Sequence, residues 1–313
     1  MAIDIVGLLA SLAILGFTGD QFIISVARIA SALRVRPTVV GALVGGFGTS
    51  VAELIVAALA AGRHSSQLAL GSLIGSIIAN VCLALTIAAL ITPIRVDSGT
   101  VRREAPLSVA SVTLFAVLAA IGISRAEGII MAVTLVPVVV LLARTAGSGD
   151  QDELGIEVVE FLETPEYRTR REVTRAVVSL AVMLGGAELM VTSTVGLAKR
   201  LGMAQGVAGL TLVGIGTSAP LIASSIQAAR RQEHDLVVGN VLGGNLFIAL
   251  AGRAIVGLLS PAALGGAGLV PLAVMVVVVA ASWLAMARGN VFARTEAVVL
   301  LVLYAAVLPF VNR

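Results

Sequence analysis

Apolar residues run through this chain in blocks of about 20, the length that carries an α-helix across a bilayer. The blocks fall at 3–27, 38–61, 67–91, 104–123, 127–143, 176–197, 206–228, 236–259, 267–287 and 293–311, which predicts ten transmembrane helices. Short segments with one to three charges separate them, and only 144–175 is both long and polar. The predicted class is an all-α polytopic membrane protein. It has a first five-helix unit over 1–143, a connecting loop over 144–175 and a second five-helix unit over 176–313. The opening stretch MAIDIVGLLASLAILGF has no basic n-region, and its apolar pattern continues past it, so a first span rather than a cleaved signal peptide is expected.

Composition agrees. Of 313 residues, 58% are hydrophobic and 12% are charged, where a soluble domain carries about a quarter. The single cysteine, Cys82, excludes an internal disulfide. The net charge of +3 does not point to nucleic acid, because the bases are scattered between apolar runs rather than gathered in a patch. Their distribution does predict orientation. With the N-terminus outside, the cytoplasmic loops and adjoining span ends hold 15 of the 21 Lys and Arg residues. The opposite side holds 5: Arg63, Arg125, Lys199, Arg200 and Arg313. Excess Lys and Arg stays cytoplasmic, so both termini are expected outside the cell's inner (plasma) membrane and loop 144–175 inside.

The chain also repeats itself. GGFGTSVAELIVAALAAGR (45–63) lies over VGIGTSAPLIASSIQAARR (213–231), and LALGSLIGS (68–76) lies over LVVGNVLGG (236–244), in one register offset by 168 residues. Asp20 falls on Glu188, Arg63 on Arg231 and Pro93 on Pro261. Five spans per copy is an odd number, so the second copy enters the membrane inverted. Inverted repeats are typical of secondary transporters, with the site near the midplane at the repeat interface.

Each copy carries a polar knot in an otherwise apolar span. Thr49 and Glu53 are four residues apart, as are Ser76 and Asn80 in the next span, so each pair shares a helical face. Flanking glycines serve close helix packing, or permit a break that frees carbonyls to face an ion. Isolated Ser and Thr commonly bond back to their own helix. Glu53 is harder to explain as structure, since an acid at mid-bilayer costs about 2.5–3.5 kcal/mol on insertion scales. Together these groups would make an all-oxygen shell, suited to a hard cation such as Na⁺ or Ca²⁺.

GTSVAEL followed by GSLIGSIIAN, and GTSAPLI followed by GNVLGGNLFI, resemble the paired alpha repeats of the cation/Ca²⁺ exchanger superfamily, the sodium/calcium exchangers and their bacterial relatives. The resemblance covers nearly the whole chain. It implies the ten-helix sodium/calcium exchanger fold and a secondary-active cation antiporter working by alternating access. Its cation sites would lie between spans 2, 3, 7 and 8, with spans 1 and 6 sliding past that core. By position it implies Thr49, Ser50, Glu53, Ser76 and Asn80 as ligands from the first repeat and Thr217 and Ser218 from the second. Carbonyls of Gly46 and Gly214 would complete the set. The second repeat departs from the pattern: Leu221 stands where the family has an acid, Gly244 where it has serine, and Ile248 where it has Asp or Asn. Ala52 replaces the motif proline of the first repeat. One carboxylate leaves a dehydrated Ca²⁺ with uncompensated charge, costly in low dielectric. A single Na⁺, a proton or a weakly held Ca²⁺ fits better.

Among the other charges, Asp20 and Glu188 read either as a structural contact with an arginine or as part of an ion pathway. Arg253, 18 residues after Asp235 and so about 27 Å along an ideal helix, is expected to snorkel to the outer face. The alternative is a tethered cation that compensates the altered second half. The acidic loop from Asp150 to Glu166 reads as a solvated connector, and His64 and His234 as solvated loop residues. No P-loop, nucleophile triad or zinc motif is present, so neither ATP nor an enzymatic cofactor is expected, and the partners are lipid and inorganic cations. Two other functions stay open: a proton-coupled, monovalent-cation or other-solute transporter using the altered half-site, and a non-transporting scaffold or sensor.

Overall fold

The computed structural model describes residues 1–33, 48–122, 124–145, 169–261 and 268–311. Among them, ten helical stretches follow one another in chain order. They are α1 (Ala2–Ala32), α2 (Val51–Gly62), α3 (Ser66–Ile91), α4 (Thr100–Ile121) and α5 (Arg125–Thr145), then α6 (Thr169–Leu201), α7 (Gln205–Arg231), α8 (His234–Leu259), α9 (Leu269–Ala287) and α10 (Arg294–Val311). Eight are long and apolar enough to cross a membrane, and α2 is a shorter apolar helix after a 3₁₀ turn at Gly48–Ser50. Helices suit this solvent because each satisfies its own backbone polar groups where lipid offers no partner. Residues 38–47 of the second expected span and 146–168 of the loop lie outside the described residues.

The repeat is visible in the backbone well beyond the motifs. The start of α3, Ser66–Ala79, matches His234–Phe247 of α8 at the same 168-residue offset. Each then passes into a π-helical stretch, Asn80–Leu85 and Ile248–Gly252, before resuming α-helix. Such π-turns shift the side-chain register locally and often mark functional sites. These two helices form the core: 78% and 83% of their apolar windows are buried by protein, against 28% for α1 and 11% for α5. The outer helices present Ile, Leu and Val outward, as lipid-facing surfaces should.

One small sheet ties the halves together. Ile94–Arg95 after α3 pairs antiparallel with Val291–Phe292 between α9 and α10. Both segments follow an odd-numbered helix, so their meeting on one face fits the inverted repeat.

Two helix ends differ from expectation. The spans expected at 3–27 and 176–197 extend to Ala32 and back to Thr169. Helix α6 therefore begins inside the segment read as loop. The reason is pairing: Glu172 in its first turns is buried against Arg28 at the far end of α1, 3.1 Å away. Arg175 donates to Gln21 as well. Charges that signal a loop in sequence here bond across two antiparallel helices.

Candidate cation site

Helix α3 and the first part of α7 cross at glycine. A Cβ on Gly75 would stand 2.1 Å from the Leu210 carbonyl oxygen, and one on Gly71 2.2 Å from that of Gly206. One on Gly214 would meet the backbone of Gly75 at 2.7 Å. Only glycine permits so close an approach of two backbones. The packing role is therefore real, and it sets the chemistry, because it presses Ser76 onto the second knot.

The break in α7 is also present. Gly209–Val213 is π-helical, Gly214–Thr217 forms one further turn, and the helix restarts at Ala219. Pro220 has no N–H to bond the carbonyl four residues earlier, which interrupts the ladder there. The Gly214 carbonyl is not left free. It accepts from the Ser218 amide at 3.3 Å, from Ser76 Oγ at 3.4 Å and from Thr217 Oγ1 at 3.4 Å.

Polar groups of the two halves meet in three places. Ser76 Oγ and Thr217 Oγ1 lie 3.1 Å apart. Ser50 Oγ donates to the Gly244 carbonyl at 3.2 Å. Asn80 Nδ2 donates to Asn245 Oδ1 at 3.0 Å. All six residues are buried. Glu53 lies one turn after Ser50, 3% exposed, and neither carboxylate oxygen has a hydrogen-bond partner among the described residues. Ser218 Oγ, fully buried, is in the same position. The Thr49 side chain and Gly46 lie outside the described residues. Thr217 also bonds back to Val213 O at 3.0 Å. Leu221, Gly244 and Ile248 are buried and bring no side-chain oxygen.

Asn245 was not among the expected residues. Its position matches Ile77 in the first half, so the repeat gives it no polar partner. The available signal was an amide inside the apolar stretch GGNLFI. Arg253 departs from expectation more sharply. It is fully buried, and its Nη2 donates to the Gly122 carbonyl and to Glu127 Oε2, 2.7 Å away. It does not snorkel, because the end of α4 and the start of α5 supply an acceptor and an acid where it emerges. Its charge is paired with Glu127 at the start of α5. Glu188 makes an arginine contact, one of the two readings its sequence position allowed, as an ion pair with Arg63.

The model for the family described as sodium/calcium exchanger protein matches residues 3–144 and 173–311. A putative antiporter, CaxA, from Alkalimonas amylolytica is 31% identical over 252 residues, covering 80% of this chain and 79% of the relative. The inner membrane protein YrbG of Escherichia coli is 32% identical over 251 residues, 79% of this chain and 75% of its own. Among solved structures, the sodium-calcium exchanger NCX_Mj soaked with Na⁺ and Sr²⁺ superimposes with a TM-score of 0.69 at 26% identity, with 98% of each chain covered.

Proposed function

This chain belongs to the sodium/calcium exchanger protein family, and on that premise we propose that it is a secondary-active cation antiporter whose ion sits where the two polar knots meet. The observation that carries this reading is Glu53, a buried acid whose two oxygens have no hydrogen-bond partner among the described residues, one turn along α2 from Ser50, which bonds across to the second half. A buried charge needs a partner, and a cation supplies one. Glu53 is the charged ligand. Thr49, Ser50, Ser76, Asn80, Thr217 and Ser218, with the Gly46 carbonyl, give neutral oxygens, and the Gly214 carbonyl joins them once its hydroxyl donors, Ser76 and Thr217, turn to the ion. The cargo is Na⁺ and Ca²⁺, exchanged by alternating access as α1 and α6 move against the core.

A second reading rests on Leu221. With an apolar side chain buried at the position matching the family's second acid, the site balances one positive charge. It would then favour Na⁺ or a proton over Ca²⁺. Purified protein in vesicles distinguishes the two. Uptake of ⁴⁵Ca²⁺ driven by a Na⁺ gradient supports exchange of both ions. Na⁺ movement coupled to internal pH, without Ca²⁺ uptake, favours the second reading. No flux of any of these ions sinks both.

The 168-residue repeat and the start of α6 at Thr169 favour 1–143 and 169–313 as the two halves, and the charge bias favours the segment that joins them on the cytoplasmic side, with both termini outside. In a Cys82→Ala background, a Ser148→Cys variant should resist an impermeant thiol reagent applied to intact cells. Labelling from outside would reverse the orientation.

A further inference from the structure

Helices α1 and α6 lie antiparallel along their whole length and are stapled at both ends. Asp4 meets Arg200 at 2.9 Å, and Glu172 meets Arg28 at 3.1 Å. The two acids are repeat equivalents, since residue 4 falls on residue 172 at the 168-residue offset. Close contacts between the ends reinforce the pair: a Cβ on Gly186 would stand 2.7 Å from Ile14. The pair is therefore one stiff body.

Its grip on the core is uneven. Helix α6 lies along α2, whereas the equivalent contact, α1 against the last part of α7, is slight and falls near Gly16 and Pro220. The ion pairs follow the same asymmetry. Glu188 on α6 binds Arg63 at the end of α2, and Arg63 also donates to Thr192, one turn further along α6, at 3.1 Å. The repeat equivalents are Asp20 on α1 and Arg231 at the end of α7. These do not meet. Asp20 is exposed with no ion pair among the described residues, and Arg231 turns to Glu233 at 3.9 Å.

An inverted repeat relates two conformations by exchanging the halves. We propose that Glu188–Arg63 and Asp20–Arg231 are alternative latches of the α1–α6 body. The first is closed in the conformation seen here, and the second replaces it when the body shifts toward the opposite face. This rests on the alternating-access reading above. The physical value of such a device is balance. Each state makes one pair and leaves its equivalent open, so neither is favoured strongly, and a bound ion can shift the equilibrium by its differential affinity alone. The four are positioning residues, and none is among the candidate ligands.

The test places cysteine pairs in a Cys82→Ala background and links them with a short bifunctional thiol reagent. The pairs are Glu188→Cys/Arg63→Cys and Asp20→Cys/Arg231→Cys. Both should link in vesicles, and Na⁺ or Ca²⁺ conditions that speed one should slow the other. In the Asp20→Cys/Arg231→Cys protein, Arg63→Ala should raise the linking rate about two- to fivefold, the modest effect expected of an exposed pair. Arg63→Lys should restore the original rate. If Asp20→Cys/Arg231→Cys never links while the Cys82→Ala parent transports, the latch is wrong and the antiporter reading stands. If both pairs link reciprocally in a protein whose parent moves no ion, the latch stands and the antiporter reading falls.

Discussion

The two halves share a backbone and differ in chemistry. Each central helix breaks from α to π at the same repeat position, Asn80 in one and Ile248 in the other. Yet at those positions one half offers an amide and the other a branched hydrocarbon. The first half has Glu53 where the second has Leu221, and Ser76 where the second has Gly244. Backbone geometry is fixed by glycine crossings and helix ladders, which do not require the ligand side chains. The scaffold can therefore stay symmetric while the chemistry drifts to one side. The remaining polar contacts cross between halves: Ser76 with Thr217, Ser50 with Gly244, Asn80 with Asn245.

The largest expected effect removes the asymmetry from the richer side. Glu53→Gln keeps shape and hydrogen-bonding capacity but deletes the charge, and cation-driven flux should fall to the vesicle background. The protein without ions should be no less stable, because an uncompensated buried acid is itself costly. Flux equal to that of the unmodified chain at matched protein level would move the ion site elsewhere.

A smaller effect comes from adding charge to the poorer side. Leu221→Glu supplies the second acid that a divalent ion calls for, and Ca²⁺ affinity should rise about tenfold, roughly 1.4 kcal/mol. Full recovery is not expected, because Gly244 and Ile248 still lack side-chain oxygens and the Gly244 carbonyl is already taken by Ser50. Calorimetric titration of both proteins checks this. Tight Ca²⁺ binding that is unchanged by the substitution would show that position 221 does not face the site.

Much of this was legible in sequence because the signals were periodic. Apolar blocks gave the helices, and a gapless offset gave the inverted repeat. What sequence missed was pairing between distant segments. The charges of Thr169–Arg175 looked like loop until Glu172 met Arg28. Arg253 looked like a snorkelling end until Glu127 and the Gly122 carbonyl closed on it. Asn245 stayed hidden because its repeat equivalent is Ile77. In each case the deciding partner lies more than 120 residues away, or the repeat itself argued against a polar role. Local pattern carries neither kind of information.

The smallest expected effect uses two serines that the repeat makes equivalent. Ser50 donates to the Gly244 carbonyl, whereas the Ser218 hydroxyl is buried without a partner among the described residues. Without ions, Ser50→Ala deletes a buried hydrogen bond and strands a carbonyl, which should cost about 1 kcal/mol. Ser218→Ala removes an unsatisfied polar group, so the unloaded protein should be unchanged or slightly more stable. Saturating cation should reverse the order of interest. If Ser218 holds its hydroxyl ready for an ion, its alanine variant should lose part of the stabilisation that ligand confers on the folded state. The Ser50→Ala variant should lose less, because that hydroxyl already has a protein partner. Thermal unfolding of both variants with and without Na⁺ and Ca²⁺ reads all four quantities. Equal ion-induced shifts in Ser218→Ala and the parent would make Ser218 a packing residue and confine the ion's hydroxyl ligands to the remaining candidates.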